Sequence, residues 1–247
     1  MSHHVLEARG LSFAYPDGTP ALQDVSCRFV HGESVGIVGA NGAGKSTLLL
    51  HLNGLLVPQA GEVRVGELPV TPSTRAQVHR TVGFVFQDAD DQLFMPTVEE
   101  DVAFGPLNMG LPAEEVRARV RAALEAVDAL PLAARAPYRL SGGEKRAVAI
   151  AGVLAMAPSI LVLDEPSAGL DPAARRRLIG LLRSFSHTKV IATHDLDLVV
   201  ELCSRVVVLD GGMVVAEGPT VEVLSDEALM LRHSLERPHA LRHLHPH

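Results

Sequence analysis

A lysine and a serine close a run of small residues: Gly39, Ala40, Asn41, Gly42, Ala43, Gly44, Lys45 and Ser46. The run fits G-x-x-x-x-G-K-[ST]. It follows the β-rich stretch 34–38 and opens the helical spacing of Leu48, Leu49, Leu52 and Leu55. Glycines let backbone N–H groups turn inward around phosphate oxygens, and the helix N-terminus adds favourable partial charge. Lys45 is then placed to bridge β- and γ-phosphates, and Ser46 to give an oxygen to Mg²⁺. The plainer reading is a glycine-rich strand-to-helix turn. Only 3 of the 22 cationic residues are lysines, so a match at Lys45 is hard to reach by accident, and nucleotide binding is favoured.

A second constellation is Ile160-Leu-Val-Leu-Asp164-Glu165-Pro166, two acids at the carboxyl end of an apolar run. Ligands bind at that edge of an open α/β sheet. Asp164 suits the Mg²⁺ shell and Glu165 the polarising of an attacking water; the alternative is a solvated strand end. Leu140-Ser141-Gly142-Gly143-Glu144 reads as a capping box, Ser-x-x-Glu, starting a helix. A cap does not need two glycines, however, and they leave the helix end open to a phosphate.

The elements that must position these groups read as α/β. Stretches 5–9, 25–29, 34–38, 63–65 and 82–86 are β-rich, with a turn at Pro16-Asp17-Gly18. Residues 98–157 are mostly helical, with Val116, Val120, Ala123, Leu124 and Val127 on one face and Glu115 paired to Arg119. The continuous apolar runs 160–163, 190–192 and 206–209 suit parallel strands buried on both faces. With 247 residues, 47% hydrophobic and a net charge of −7, the chain has room for a sizeable core and is not a general nucleic-acid binder. Cys27 and Cys203 read as reduced core residues. The N-terminal residues hold no long apolar region, against a signal peptide, and no run reaches the roughly 20 apolar residues of a membrane span.

The motifs in this order resemble the ATP-binding cassette (ABC) ATPases over roughly residues 5–225. The resemblance implies a P-loop core with a mainly parallel sheet, an N-terminal antiparallel β subdomain and an inserted helical subdomain at about 88–157. The whole cassette would occupy 1–232, with a His-rich tail at 233–247. It implies that Tyr15 stacks on adenine, that Gly39 to Ser46 with Thr47 hold the phosphates, and that Gln87 senses Mg²⁺ and the attacking water. Ser141, Gly142 and Gly143 match the signature that contacts a γ-phosphate held by a second subunit. Asp164 and Glu165 match the metal and base carboxylates, Asp171 the loop linking two sites, and His194 the switch histidine. Each also has a plain structural role: Tyr15 as strand packing, Gln87 as a surface residue, Asp171 as an N-cap before Pro172, and His194 as a cap of the next helix. Glu144 stands where the family most often has Gln, and either residue completes the capping box.

Phe86-Gln-Asp-Ala-Asp-Asp-Gln-Leu-Phe94, Thr97 to Pro106 and Phe13-Ala-Tyr-Pro-Asp-Gly18 resemble more narrowly the ATPase subunits of energy-coupling-factor importers, cobalt and nickel types above all. That implies ATP and Mg²⁺ as cofactors and a second ATPase subunit, either a second copy or a paralogue, with a homodimer favoured because both site halves are intact. It also implies a transmembrane coupling subunit, a substrate-binding membrane subunit, and a place on the cytoplasmic face of the membrane. The competing expectations are the ATPase of another ABC transporter and a soluble ABC ATPase acting on DNA or ribosomes. Five histidines, His233, His239, His243, His245 and His247, suit Co²⁺ or Ni²⁺ as ligands, but a weakly ordered tail without a defined metal site is favoured.

Overall fold

A computed structural model describes residues 5–242. In chain order the principal elements begin with β1 (Leu6–Ala14), β2 (Pro20–Phe29), β3 (Ser34–Val38), α1 (Lys45–Asn53), β4 (Ala60–Val65), β5 (Leu68–Pro69) and α2 (Arg75–Thr81). Then come β6 (Val82–Val85), α3 (Val98–Asn108), α4 (Ala113–Ala126), α5 (Gly142–Leu154), β7 (Ile160–Asp164) and α6 (Pro172–Ser184). The last are β8 (Thr188–Ala192), α7 (Leu196–Leu202), β9 (Arg205–Asp210), β10 (Met213–Pro219), α8 (Thr220–Ser225), α9 (Glu227–Arg232) and α10 (His239–Arg242). Described residues up to His79 and from His187 onward form one compact unit, and Arg80–Ser186 a second.

The first unit holds an antiparallel sheet in the order β2-β1-β4-β5. Alternation sets its register: Leu6 opposite Phe29 and Ala8 opposite both Cys27 and Val63, all buried. Beside it β3 pairs in parallel with β8 and with β9, and β10 closes antiparallel on β9. Val35, Ile37, Val190, Ile191 and Val206 to Leu209 are fully buried, as strands covered on both faces require. Cys27 and Cys203 are buried free thiols, and burial pushes both up to about 12, so neither is a reactive thiolate at neutral pH.

In the second unit β6 and β7 pair in parallel, Val85 opposite Leu163. The helices expected over about 88–157 are present here, within a unit that also takes in this strand pair and α6. Val98 and Val102 of α3, Val116, Val120 and Leu124 of α4, and Val148 and Ala151 of α5 form one buried cluster. Glu115 and Arg119 meet at 2.7 Å on the outer side of α4, at the i,i+4 spacing.

One expectation is corrected at the C-terminal end. Loose packing from residue 233 does not hold for 233–242. His233 Nδ1 lies 2.8 Å from Asp210 Oδ2, and Leu235 and Leu241 are buried at 9% and 2% exposure. Pro238 does not prevent a helix but precedes one, α10, where the Ala240 N–H donates to Asp197 at 2.9 Å. Two leucines six positions apart are too sparse a pattern to announce a buried face. Among the described residues no group of three or more His, Cys, Asp or Glu is arranged to hold a metal; His243, His245 and His247 lie outside them. No described helix is long and apolar enough to cross a membrane.

Candidate functional site

In the first unit the glycine-rich loop leaves β3 and enters α1 through Gly44, whose left-handed φ of 102° forms the N-cap. A Cβ there would stand 2.5 Å from the Ala21 carbonyl oxygen, and one on Gly39 2.2 Å from that of Leu209. Only glycine lets the loop lie that close to its neighbours. At Gly42, by contrast, a Cβ would meet nothing within 4 Å, and both Asn41 and Gly42 are exposed. The outer side of the loop is open while its inner side is clamped. Lys45 is buried and its Nζ donates to the carbonyls of Gly39 and Ala40 at 2.9 and 3.1 Å, so the cation spans the loop that it would serve. Ser46 and Thr47 follow in the first turn of α1.

His194 lies two residues beyond β8. Because Ala192 pairs with Ile37 and the Thr193 N–H donates to Ile37 O at 3.1 Å, the chain at His194 leaves the sheet beside the start of the phosphate loop. Its role as a cap is not observed: Asp195 caps α7, accepting from the Leu198 N–H. Tyr15 is not ordinary strand packing either. It stands 40% exposed just past β1, and its hydroxyl is hydrogen-bonded to Thr47 Oγ1 at 2.8 Å.

Within the second unit, Gln87 lies two residues past β6 and Asp164 ends β7, so the parallel register brings Gln87, Asp164 and Glu165 to the same carboxyl edge. Asp164 and Glu165 are buried at 5% and 7% exposure. Glu165 adopts a φ of +45°, a region that costs a residue with a Cβ about 1–3 kcal/mol and clusters at functional sites. Gln87 is exposed.

The capping box at α5 is complete with glutamate. Glu144 Oε2 accepts from the Ser141 backbone N–H at 2.7 Å and from its hydroxyl at 2.8 Å, while Ser141 Oγ accepts from the Glu144 N–H at 3.3 Å. Those hydrogen bonds, the backbone one foremost, hold the Glu144 carboxyl below the usual range. A Cβ on Gly142 would meet nothing within 4 Å, and one on Gly143 only ordinary contacts at 3.8 Å. Neither glycine is demanded by this chain's own packing. Asp171 caps α6 through the N–H groups of Ala173 and Ala174, both at 2.8 Å, so its plain structural role is real whatever else it does.

Sequence reasoning did not find Arg146. Its buried guanidinium donates to the Phe86 carbonyl at 2.6 Å and to that of Gln87. Burial lowers its pKa, against support from Asp88, Asp164 and Glu165. Lys145 reaches Asp90 at 2.6 Å, and Gln92 bridges the Phe86 N–H and the Ala149 carbonyl. Residues 86–92 are thus stitched to α5 just behind its signature turn. Backbone acceptors carry no sequence letter, and Arg146 follows Glu144 and Lys145 in one short charged run, so nothing in the sequence singled it out.

His51, buried in α1, was likewise missed. Its Nδ1–H donates to the Thr47 carbonyl at 2.7 Å, and burial pushes its pKa down from the ordinary 6.5. His79 is shifted in the same direction by burial and then by Arg75. For a base depressed in the folded state, the unfolded chain takes the proton first. The stability contribution is full above pH 6.5 and is lost as pH falls through the folded value. Tm should therefore drop between about pH 7.5 and about pH 5.5, and His51→Gln should flatten part of that drop. An unchanged slope in calorimetry would remove His51 as a source.

A family model described as "ABC transporter" matches residues 22–168. A Geobacter sulfurreducens protein named as an ABC transporter ATP-binding protein is 62% identical over 96% of each chain. The energy-coupling factor transporter ATP-binding protein of Methanothermobacter thermautotrophicus is 49% identical over 95% of this chain and 77% of that one. Among solved structures, cbiO1 from Clostridium perfringens, described as part of the transporter complex cbiONQ, is 38% identical with a TM-score of 0.80, covering 93% of this chain and 94% of its own. A dimeric ATP-binding cassette in a post-hydrolysis state with ADP and Pi is 29% identical with a TM-score of 0.79, covering 87% of this chain and 98% of that one. The agreement runs from the β-rich N-terminal segment through the signature helix and beyond, far past the phosphate loop, and this chain belongs to the ABC transporter family as an ATP-hydrolysing, ATP-binding subunit.

Proposed function

We propose that this chain is the ATPase of an energy-coupling-factor importer, acting as a homodimer docked on the cytoplasmic face of a membrane. In this reading Lys45, His194 and the inward N–H groups of the phosphate loop hold the β- and γ-phosphates, and Tyr15 stacks on the adenine. Ser141, Gly142 and Gly143 are offered to a nucleotide held by the second copy, a reading supported by two glycines that this chain's own packing does not demand. Glu165 orients the attacking water and takes its proton, Gln87 senses the site, and Asp171 links the two copies' sites. The donors fit Mg²⁺: the hydroxyl of Ser46, the carboxylate of Asp164 and the amide oxygen of Gln87 are all hard oxygen ligands. When bound, the ion neutralises charge on the β- and γ-oxygens.

The observation that carries the importer assignment is the likeness, over nearly the whole chain, to an energy-coupling factor ATP-binding protein and to cbiO1. The surface next to residues 86–92 supports it. Phe94 and Phe104 stand 62% and 43% exposed, edge to face at 4.8 Å, with Leu107 exposed nearby on α3. Such a patch suits a transmembrane coupling subunit. Cobalt or nickel is the proposed cargo, resting on the 86–106 stretch.

The test is a pull-down from detergent-solubilised native membranes with tagged Glu165→Gln, ATP and Mg²⁺, read by mass spectrometry. Recovery of a coupling subunit with a small substrate-binding membrane protein is the expected result, and the latter would name the cargo. Recovery of ribosomal or DNA-repair proteins without a membrane subunit would overturn the transport assignment and leave the ATPase.

A further inference from the structure

Thr47 is gripped from two sides. Its side-chain oxygen is bonded to the Tyr15 hydroxyl at 2.8 Å, and its carbonyl accepts from His51 Nδ1 at 2.7 Å. Phe13 closes the circuit, packing edge to face on Tyr15 at 5.3 Å and on His51 at 4.8 Å between ring centroids. Four residues from β1, the turn after it and α1 therefore form one closed ring, at the helix end that opens the phosphate loop.

The ring has an unusual bond in it. A threonine hydroxyl inside a helix most often bonds back to a carbonyl one turn earlier. Here it reaches across 32 residues of sequence to a tyrosine. The Tyr15 backbone is pinned as well, its N–H donating to Thr19 O at 2.9 Å and its carbonyl accepting from the Gly18 N–H at 2.8 Å. With its backbone set by that turn, its ring edge set by Phe13 and its hydroxyl set by Thr47, this half-exposed side chain is held in one orientation.

We propose that Thr47, Phe13 and His51 are positioning residues for the base, acting through Tyr15: the hydroxyl tether fixes the ring before nucleotide arrives and ties the base platform to the phosphate loop. This rests on the reading of Tyr15 as the stacking residue. A ring already ordered adds no ordering cost when the base lands on it, so the tether raises affinity for a nucleotide without touching it. A ligand that has phosphates and no base gains nothing from it.

The experiment compares binding of ATP and of inorganic triphosphate, each with Mg²⁺, by calorimetry on the full chain and its variants. Tyr15→Phe keeps the ring and removes the tether. It should weaken ATP by about three- to tenfold and leave triphosphate unchanged. Thr47→Val should lower the ratio of ATP to triphosphate affinity by the same factor, and the double variant should lower it no further, because both remove one bond. A wild-type ratio in Tyr15→Phe would overturn the tether, as would additive losses in the double variant, which would mean that the two hydroxyls act separately. Tyr15→Ala tests the underlying reading apart from the tether: if that variant keeps the wild-type ratio, Tyr15 is no base platform at all. Thermal unfolding of each variant separates loss of the ratio from loss of the fold, since misfolding would weaken both ligands together.

Discussion

Glu165→Gln should bind ATP as the parent does and turn it over about 10²–10⁴ times more slowly. The substitution conserves shape at a position where shape is constrained: the residue is buried, follows directly on a fully buried strand and holds a φ of +45°. An amide can keep the hydrogen bonds that place a water but cannot take its proton. It also removes one negative charge from the proposed site, so a dimer with two unhydrolysed nucleotides should accumulate. Phosphate release measured beside size-exclusion chromatography with ATP reads both effects. Full hydrolysis by this variant would remove Glu165 as the base and move the role elsewhere on the carboxyl edge of β6 and β7.

Lys45→Ala should fail earlier, at binding. A hydrogen bond to a charged partner is worth about 1.5–3 kcal/mol, and each 1.4 kcal/mol is tenfold, so ATP affinity should fall by roughly ten- to a hundredfold. The variant loses a second thing, visible before any nucleotide arrives. Lys45 Nζ holds the carbonyls of Gly39 and Ala40, so the alanine variant also releases the loop from its own cation. Calorimetric titration with ATP and Mg²⁺ gives the number. Unchanged affinity would contradict the assignment of Lys45 to phosphate binding, whether or not turnover falls.

What was legible in the sequence was local. The phosphate loop, the capping box at Ser141, the cap at Asp171 and the apolar runs of β7, β8 and β9 each announce themselves within a few residues. So does α4, whose apolar face repeats at helical spacing. What escaped depends on partners without a recognisable letter. Arg146 is satisfied by two carbonyl oxygens, and any residue would supply those. The tether between Tyr15 and Thr47 joins two ordinary-looking residues across a strand and a loop. Residues 233–242 pack through two leucines and one His–Asp pair, too thin a pattern to outweigh a composition rich in His, Arg and Pro. Gly142 and Gly143 lie between these cases. The sequence marked them as surplus to a cap, and the structure agrees that neither is forced by packing: a Cβ on Gly142 would meet nothing and one on Gly143 only ordinary contacts.

The stitching of residues 86–92 onto α5 has a consequence for how force travels. Arg146, Lys145 and Gln92 tie that segment to the helix whose first turn matches the family signature, and the exposed Phe94 begins two residues later. Asp101 continues the seam, its Oδ1 accepting from the N–H groups of Phe94 and Met95, both at 3.0 Å. A seam this short has little slack, so in the proposed transporter a load on the aromatic patch would reach the turn at Ser141. Linkage makes the traffic two-way: if nucleotide engagement at Ser141 favours one posture of the patch, a membrane partner preferring that posture must raise the affinity for nucleotide by the same factor. On the proposed reading, the cassette would work as a lever with a common pivot, loaded from either arm.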